Sequence, residues 1–193
     1  MQPKFLVRIP IGDRDGPYKC HQRVYEVCGG HSRPVWRRCS GYLIALADTA
    51  PFGLEVKSYD PQPRLGQVTR FDLFAEVSVS KKKEGATRSS RADPILESRF
   101  ENKQKKYGEL AHDLGGAWLN RQGQRVGFEV LNLERADYEV IEFRKSNTNV
   151  RIGAVRFSGQ LKITEPSGFR KAMLEGLGHS KAWGLGMLLC FRT

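Results

Sequence analysis

The sequence predicts an α+β protein assembled from two similar units, each a small sheet with helices packed on it. A strand, a helix and a pair of short strands follow one another in the first half of the chain. A basic polar segment at 81–90 interrupts that order, after which a helix, long alternating strands and a second helix begin it again. With 39% hydrophobic and 27% charged residues over 193 positions, the composition is that of a folded chain with material for more than one core.

Taken in order, residues 4–11 set Phe5, Val7 and Ile9 against Lys4, Leu6 and Arg8, the period of a strand with one well-buried face. A turn between Gly12 and Gly16 ends it. Pro17 suits the first position of a helix, where a missing N–H is harmless, and Tyr18, His21, Tyr25 and Cys28 follow at helical spacing until Gly29 and Gly30. Residues 35–39 and 42–47 read as a hairpin turning at Ser40 and Gly41, and residues 68–80, through Phe71, Leu73, Ala75 and Val77, read as a further strand. The run KKKEGATRSS at 81–90 has Ala86 as its one apolar residue and reads as a linker or basic loop.

Beyond it, a helix ends at Ala117, Trp118 and Leu119, and strands follow at 126–133, 138–143 and 150–163. Residues 164–175 form a last helix capped by Gly176 or Gly178, and 187–191 a last apolar strand. The expected division is a first unit at 1–84, a linker at 85–97 and a second unit at 98–193.

Charge narrows the partner. Lys and Arg number 32 against 21 Asp and Glu, a formal net charge of +11, which favours a polyanion held through its phosphates. An anionic membrane would need an amphipathic anchor as well, and the apolar stretch near the amino terminus is too short for a signal core or a span, so a cytoplasmic protein without membrane contact is expected. Cys20, His21, Cys28, His31 and Cys39 crowd together, but only Cys28 and His31 form a tight pair, so a zinc site is disfavoured.

The segment GLGHSKAWGLG at 176–186 holds four glycines in eleven residues. Glycine permits positive φ and close backbone approach, so successive amides there can cradle a phosphate while Lys181 adds charge. The segment follows a helix and precedes a strand, the reverse of a dinucleotide fingerprint, which argues against a nucleotide-binding Rossmann unit.

That segment, beside a terminal apolar strand, resembles the glycine-rich signature of the RAMP superfamily of CRISPR-associated proteins, and within it the CasE family of repeat-RNA endoribonucleases. Pro17-Tyr18-Lys19-Cys20-His21 is similar to that family's Tyr-x-x-His motif in the first helix, and Ala117-Trp118-Leu119 and the strand at 155–163 fall where the family has comparable segments. The middle departs from the pattern: a basic Arg-Ala-Asn-Pro stretch of the family stands here as Phe74-Ala75-Glu76-Val77. The resemblance implies two tandem ferredoxin-like βαββαβ domains. It also implies metal-independent cutting of CRISPR repeat precursor RNA at the base of a stem-loop, with no cofactor, the product hairpin retained, and other subunits of a Cascade-like complex as partners.

Cleavage without metal uses the ribose 2′-hydroxyl against its own phosphate, leaving a cyclic phosphate and a 5′-hydroxyl. It needs a proton acceptor, a proton donor and charge for the phosphorane. Histidine, with an ordinary pKa of about 6.5, suits proton transfer near neutrality, and tyrosine, near 10, is a poor base there. His21 is therefore the expected catalytic group, with Tyr18 one turn earlier on the same helix face to orient the hydroxyl or leaving oxygen. Lys181, Gly178, His179, Ser180 and Gly184 are expected to hold phosphate. Arg144, Lys145 and Arg151, around a polar hairpin tip at 145–149, and Arg23, two positions after His21, are expected to grip the RNA stem through shape and backbone. A second reading is a guide-RNA-binding subunit that does not cut; Tyr18 and His21 discriminate between the two.

Overall fold

The computed structural model describes residues 3–29, 33–81, 87 and 90–191, so His31 and most of the basic run at 81–90 lie outside the described residues. Strand β1 (Lys4–Pro10) leads into helix α1 (Pro17–Cys28), then β2 (Val35–Cys39), β3 (Tyr42–Ala47) and β4 (Glu55–Tyr59). All four strands pair antiparallel in the order β2-β3-β1-β4. Val7, Ile9, Leu43, Ala45 and Ala47 of the sheet enclose Cys20 and Val24 of α1, so the helix is held by its i, i+4 apolar pair. Residues 48–54 join β3 to β4 without a helix, which leaves the first unit with ferredoxin-like strand order but, among the described residues, one helix.

The second sheet is built from β5 (Val68–Glu76), β8 (Phe128–Lys145), β9 (Thr148–Ile163) and β10 (Leu188–Phe191), in the order β10-β5-β9-β8. Between β5 and β8 run a short ribbon of β6 (Val79–Lys81) and β7 (Ser90–Ala92), then α2 (Pro94–Glu101), α3 (Tyr107–Leu110), a π turn at Ala111–Gly115 and α4 (Gly116–Val126). Helix α5 (Pro166–Glu175) connects β9 to β10 and completes a βαββαβ unit. The structure therefore has two ferredoxin-like sheets, as expected. Phe71, Leu73, Val155, Phe157 and Leu161 of the sheet pack against Trp118, Leu119, Phe169 and Met173 of the helices.

Several boundaries differ from those expected. β5, placed in the first unit by a division at residue 84, pairs with β9 and β10, so the change of sheet falls between Tyr59 and Val68. The strands expected at 126–133 and 138–143 are one 18-residue strand, whose register shifts between Val130 and Asn132 and between Leu133 and Arg135. Such bulges break the two-residue alternation that marks a strand. Helix α4 runs on to Val126 because Gly123, which looks like a breaker in sequence, allows the Phe128 carbonyl to approach where a Cβ would lie 2.3 Å from its oxygen. Helix α2 falls partly inside the expected linker. Asp93 caps it by accepting from the amides of Ile95 and Leu96, each at 3.0 Å, and Ile95 is its one buried residue.

The two sheets are tied by an ion pair, Arg37 Nη1 of β2 to Asp72 Oδ1 of β5 at 2.5 Å, with side chains 10% and 28% exposed. Removing one partner strands the other charge at the junction. Arg37→Ala should cost about 3 kcal/mol in denaturant unfolding. A loss below about 0.5 kcal/mol would mean that solvent already screens the pair. Among the described residues no helix is long and apolar enough to cross a membrane.

Candidate active site and nucleic-acid interface

Because Cys20 and Val24 turn α1 toward its own sheet, Tyr18, His21 and Tyr25, at i, i+3 and i+7, share another face, which packs on the turn at Lys181–Trp183. His21 Nδ1 lies 2.8 Å from the carbonyl oxygen of Ala182. A carbonyl only accepts, so Nδ1 carries a proton and donates it there, and Nε2 has no partner among the described residues. Trp183 and Tyr25 flank the imidazole at 4.7 and 4.4 Å between ring centroids. Tyr18 lies nearly parallel to it at 6.3 Å and 18°. The geometry holds the imidazole in one orientation, half-buried, beside a phenol.

The glycine-rich segment does something other than expected. Its short 3-10 turn (Lys181–Trp183) is bracketed by Ser180 at φ 53° and Gly184 at φ 81°. The Ser180 hydroxyl donates to the Glu76 carboxylate, and exposed His179 bridges to Glu76 through its backbone. A Cβ on Gly184 would meet the indole of Trp36 at 2.8 Å, so glycine is required here both by the left-handed backbone and by the close contact. The amides of Leu177, Trp183, Gly184 and Gly186 are already bonded, to the carbonyls of Gly186, Ser180, Lys181 and Phe74. An open cradle of consecutive glycine amides is therefore absent from these positions; the glycines permit packing that presents Ala182 and Trp183 to His21.

Nor does Lys181 join His21. Its Nζ donates to the carbonyl of Gly178 at 3.2 Å and it lines a separate cleft of about 370 Å³ with Arg125 and Lys171. Burial holds its ammonium below the usual lysine range; Glu175 opposes that shift, while Arg125 and Arg33 reinforce it.

The basic hairpin does reach the site. β8 and β9 turn at Ser146 and Asn147, Phe143 packs against Trp183 with ring centroids 4.5 Å apart and planes tilted by 53°, and Lys145 Nζ sits 5.6 Å over the same ring. Arg144 is exposed and bonds the Ser146 carbonyl, and Arg151 is exposed and pairs with Glu142 at 3.0 Å. Arg23 is exposed on α1 and pairs with Glu26 at 3.0 Å. Sequence reasoning overlooked Tyr25, Phe143 and Trp183 as site residues. Tyr25 was open to discovery as the i+4 neighbour of His21, and Trp183 as the one aromatic of the glycine-rich segment. Among the described residues no three His, Cys, Asp or Glu side chains form a group able to hold a metal ion.

A sequence profile of the family described as CRISPR associated protein matches residues 8–192. The chain belongs to that family. No curated protein matches it by sequence. Among solved structures, this CRISPR-associated protein resembles Thermus thermophilus Cse3 bound to an RNA representing a pre-cleavage complex, with 21% identity, coverage of 99% of this chain and 100% of that one, and a TM-score of 0.73. It also resembles Cas6e from Escherichia coli K-12, with 16% identity, coverage of 98% and 100%, and a TM-score of 0.71. A third likeness is to a chain of a CRISPR RNA-guided surveillance complex, with 17% identity, coverage of 98% and 100%, and a TM-score of 0.68. At these identities the likeness establishes the fold. It extends over both sheets.

Proposed function

We propose that this CRISPR-associated protein is a metal-independent endoribonuclease that cuts CRISPR repeat precursor RNA at the base of a stem-loop and keeps the product hairpin. The observation that carries the reading is His21, held in one orientation by the Ala182 carbonyl with Nε2 free, next to Tyr18. Nε2 takes the proton of the 2′-hydroxyl while water protonates the departing 5′-oxygen or, as an imidazolium, gives its proton to that oxygen while water takes the one from the 2′-hydroxyl; Tyr18 steadies the other oxygen. The 2′-oxygen bonds to phosphorus as the P–O5′ bond breaks, leaving a cyclic phosphate and a 5′-hydroxyl. The fold is shared with a protein named CRISPR endoribonuclease Cse3, bound to RNA, and with a chain of an RNA-guided surveillance complex, which supports repeat RNA as substrate and a Cascade-like assembly as host.

Lys145, over Trp183, brings the hairpin tip beside the scissile phosphate, and Arg144 and Arg151 take the stem backbone. The cleft of Lys181, Arg125 and Lys171 takes a more distant phosphate. The deciding experiment is incubation with an end-labelled repeat hairpin in EDTA. Site-specific cutting with a cyclic-phosphate end supports the reading, and binding without cutting leaves a guide-RNA-binding subunit in its place.

A further expected result concerns salt. Arg144→Ala should weaken hairpin affinity and lower the slope of log K against log salt by about one unit, the release of roughly one counterion. Arg151→Ala should do the same, since its exposed pair with Glu142 holds it by less than about 1 kcal/mol. Titrations at several salt concentrations check this; unchanged slopes in both variants would remove the hairpin from the interface.

A further inference from the structure

Between the two sheets lies a cavity of about 350 Å³, separate from the Lys181 cleft, whose walls include Trp36, Arg38, Phe74, Glu139, Arg156 and Trp183. Its volume is at the low end of ligand sites, roughly 300–1,000 Å³, too small for a duplex and suited to one heterocycle. Trp36 is 2% exposed, and its indole Nε1 is buried with no hydrogen-bond partner among the described residues. That atom is closed off from the cavity as well as from solvent, so reading a ligand falls to the rest of the wall. Arg156 lies 4.4 Å over the Phe74 ring and 3.9 Å from Glu139, so the wall offers donors and a carboxylate acceptor beside aromatic faces. Flat π surfaces combined with in-plane donors and acceptors are the chemistry that recognises an unpaired nucleobase.

Position selects which base. Trp183 belongs to the cavity wall and also packs on the His21 imidazole at 4.7 Å, and Pro17, immediately before Tyr18, lines the cavity from α1. A nucleotide seated here is a near neighbour of the phosphate at His21. We propose that the inter-sheet cavity takes one unpaired nucleobase of the RNA strand flanking the cleaved bond, packed on Trp183 and read by the Arg156–Glu139 pair. The inference rests on the ribonuclease reading above and adds a determinant outside the stem: the pocket fixes which bond is presented by anchoring a base beside it.

The test uses the full chain carrying His21→Ala, so that RNA stays intact, and a repeat hairpin with single-stranded flanks bearing 2-aminopurine at each flanking position in turn. One position should show quenched emission on binding, and an abasic residue there should weaken affinity about tenfold. Ile141→Trp, which fills the cavity from β8, should abolish both effects while the bare hairpin binds as before. Glu139→Ala removes the carboxylate acceptor and should lessen discrimination among bases at that position; it serves as the second variant, with melting curves checking that both fold. Uniform emission and equal affinity at every flanking position, with the bare hairpin still bound, would overturn the pocket and leave the ribonuclease reading standing. Failure to bind the bare hairpin at all would overturn both.

Discussion

His21→Ala should slow cleavage of the repeat hairpin in EDTA by about a thousandfold, within the range that a positioned proton-transfer group contributes, while hairpin affinity stays near its original value. The separation is expected because Nε2 has no partner in the protein and the imidazole's remaining contacts are to Ala182, Trp183 and Tyr25. Its loss removes a proton carrier and leaves the basic hairpin untouched. Tyr18→Phe should slow the reaction less, since the ring stays in place and only the hydroxyl goes. Single-turnover rates with parallel binding titrations check both. If His21→Ala cuts at the original rate, the centre lies elsewhere, and His179, exposed in the glycine-rich segment, is the next histidine to replace.

Gly184→Val should lower stability and turnover together. A β-branched residue at φ 81° is strained whatever the space around it, and its Cβ would also overlap Trp36, itself buried between the sheets. Strain and overpacking each cost about 1–3 kcal/mol. Their sum is about 4 kcal/mol, or a melting temperature about 10 °C lower for a chain of this length. Because Gly184 follows Trp183 directly, relief of the overlap shifts the carbonyl that orients His21, so the rate falls even where the protein remains folded. Lys181→Ala is the contrasting variant: it removes charge from the separate cleft and should weaken RNA binding with little change in melting. A Gly184→Val protein that melts and cuts normally would mean that the segment is an ordinary connection.

What the sequence made legible was local. The strands of the first unit carry alternation with one apolar face, and α1 carries a proline start, a glycine stop and two faces that periodicity separates, so Tyr18 and His21 were found together. β4 escaped because a polar edge strand, EVKSY, lacks an apolar row, and β8 was read as two strands because its bulges reverse the alternation midway. The misplacement of β5 has a different origin: its pattern shows that it is a strand, but nothing in it names β9 and β10 as neighbours. The site shows the same division. The spacing of two residues on one helix could be read, whereas the meeting of His21 with Ala182, Trp183 and the tip of β8 depends on how two sheets dock. Lys181 was expected to hold phosphate because it is the charged residue of the glycine-rich segment; in the fold its side chain bonds the Gly178 carbonyl and lines a cleft apart from His21.

The hydrogen bond that orients His21 spans 161 positions of sequence. During synthesis, the imidazole therefore leaves the ribosome long before the carbonyl that orients it exists, and β10, which closes the second sheet against β5, comes later still. A nascent chain that has already folded β1, α1 and the β2–β3 hairpin carries the His21 imidazole without a set orientation. On the ribonuclease reading, a product of interrupted translation ending before Ala182 lacks the carbonyl that orients His21 and is expected to leave RNA uncut.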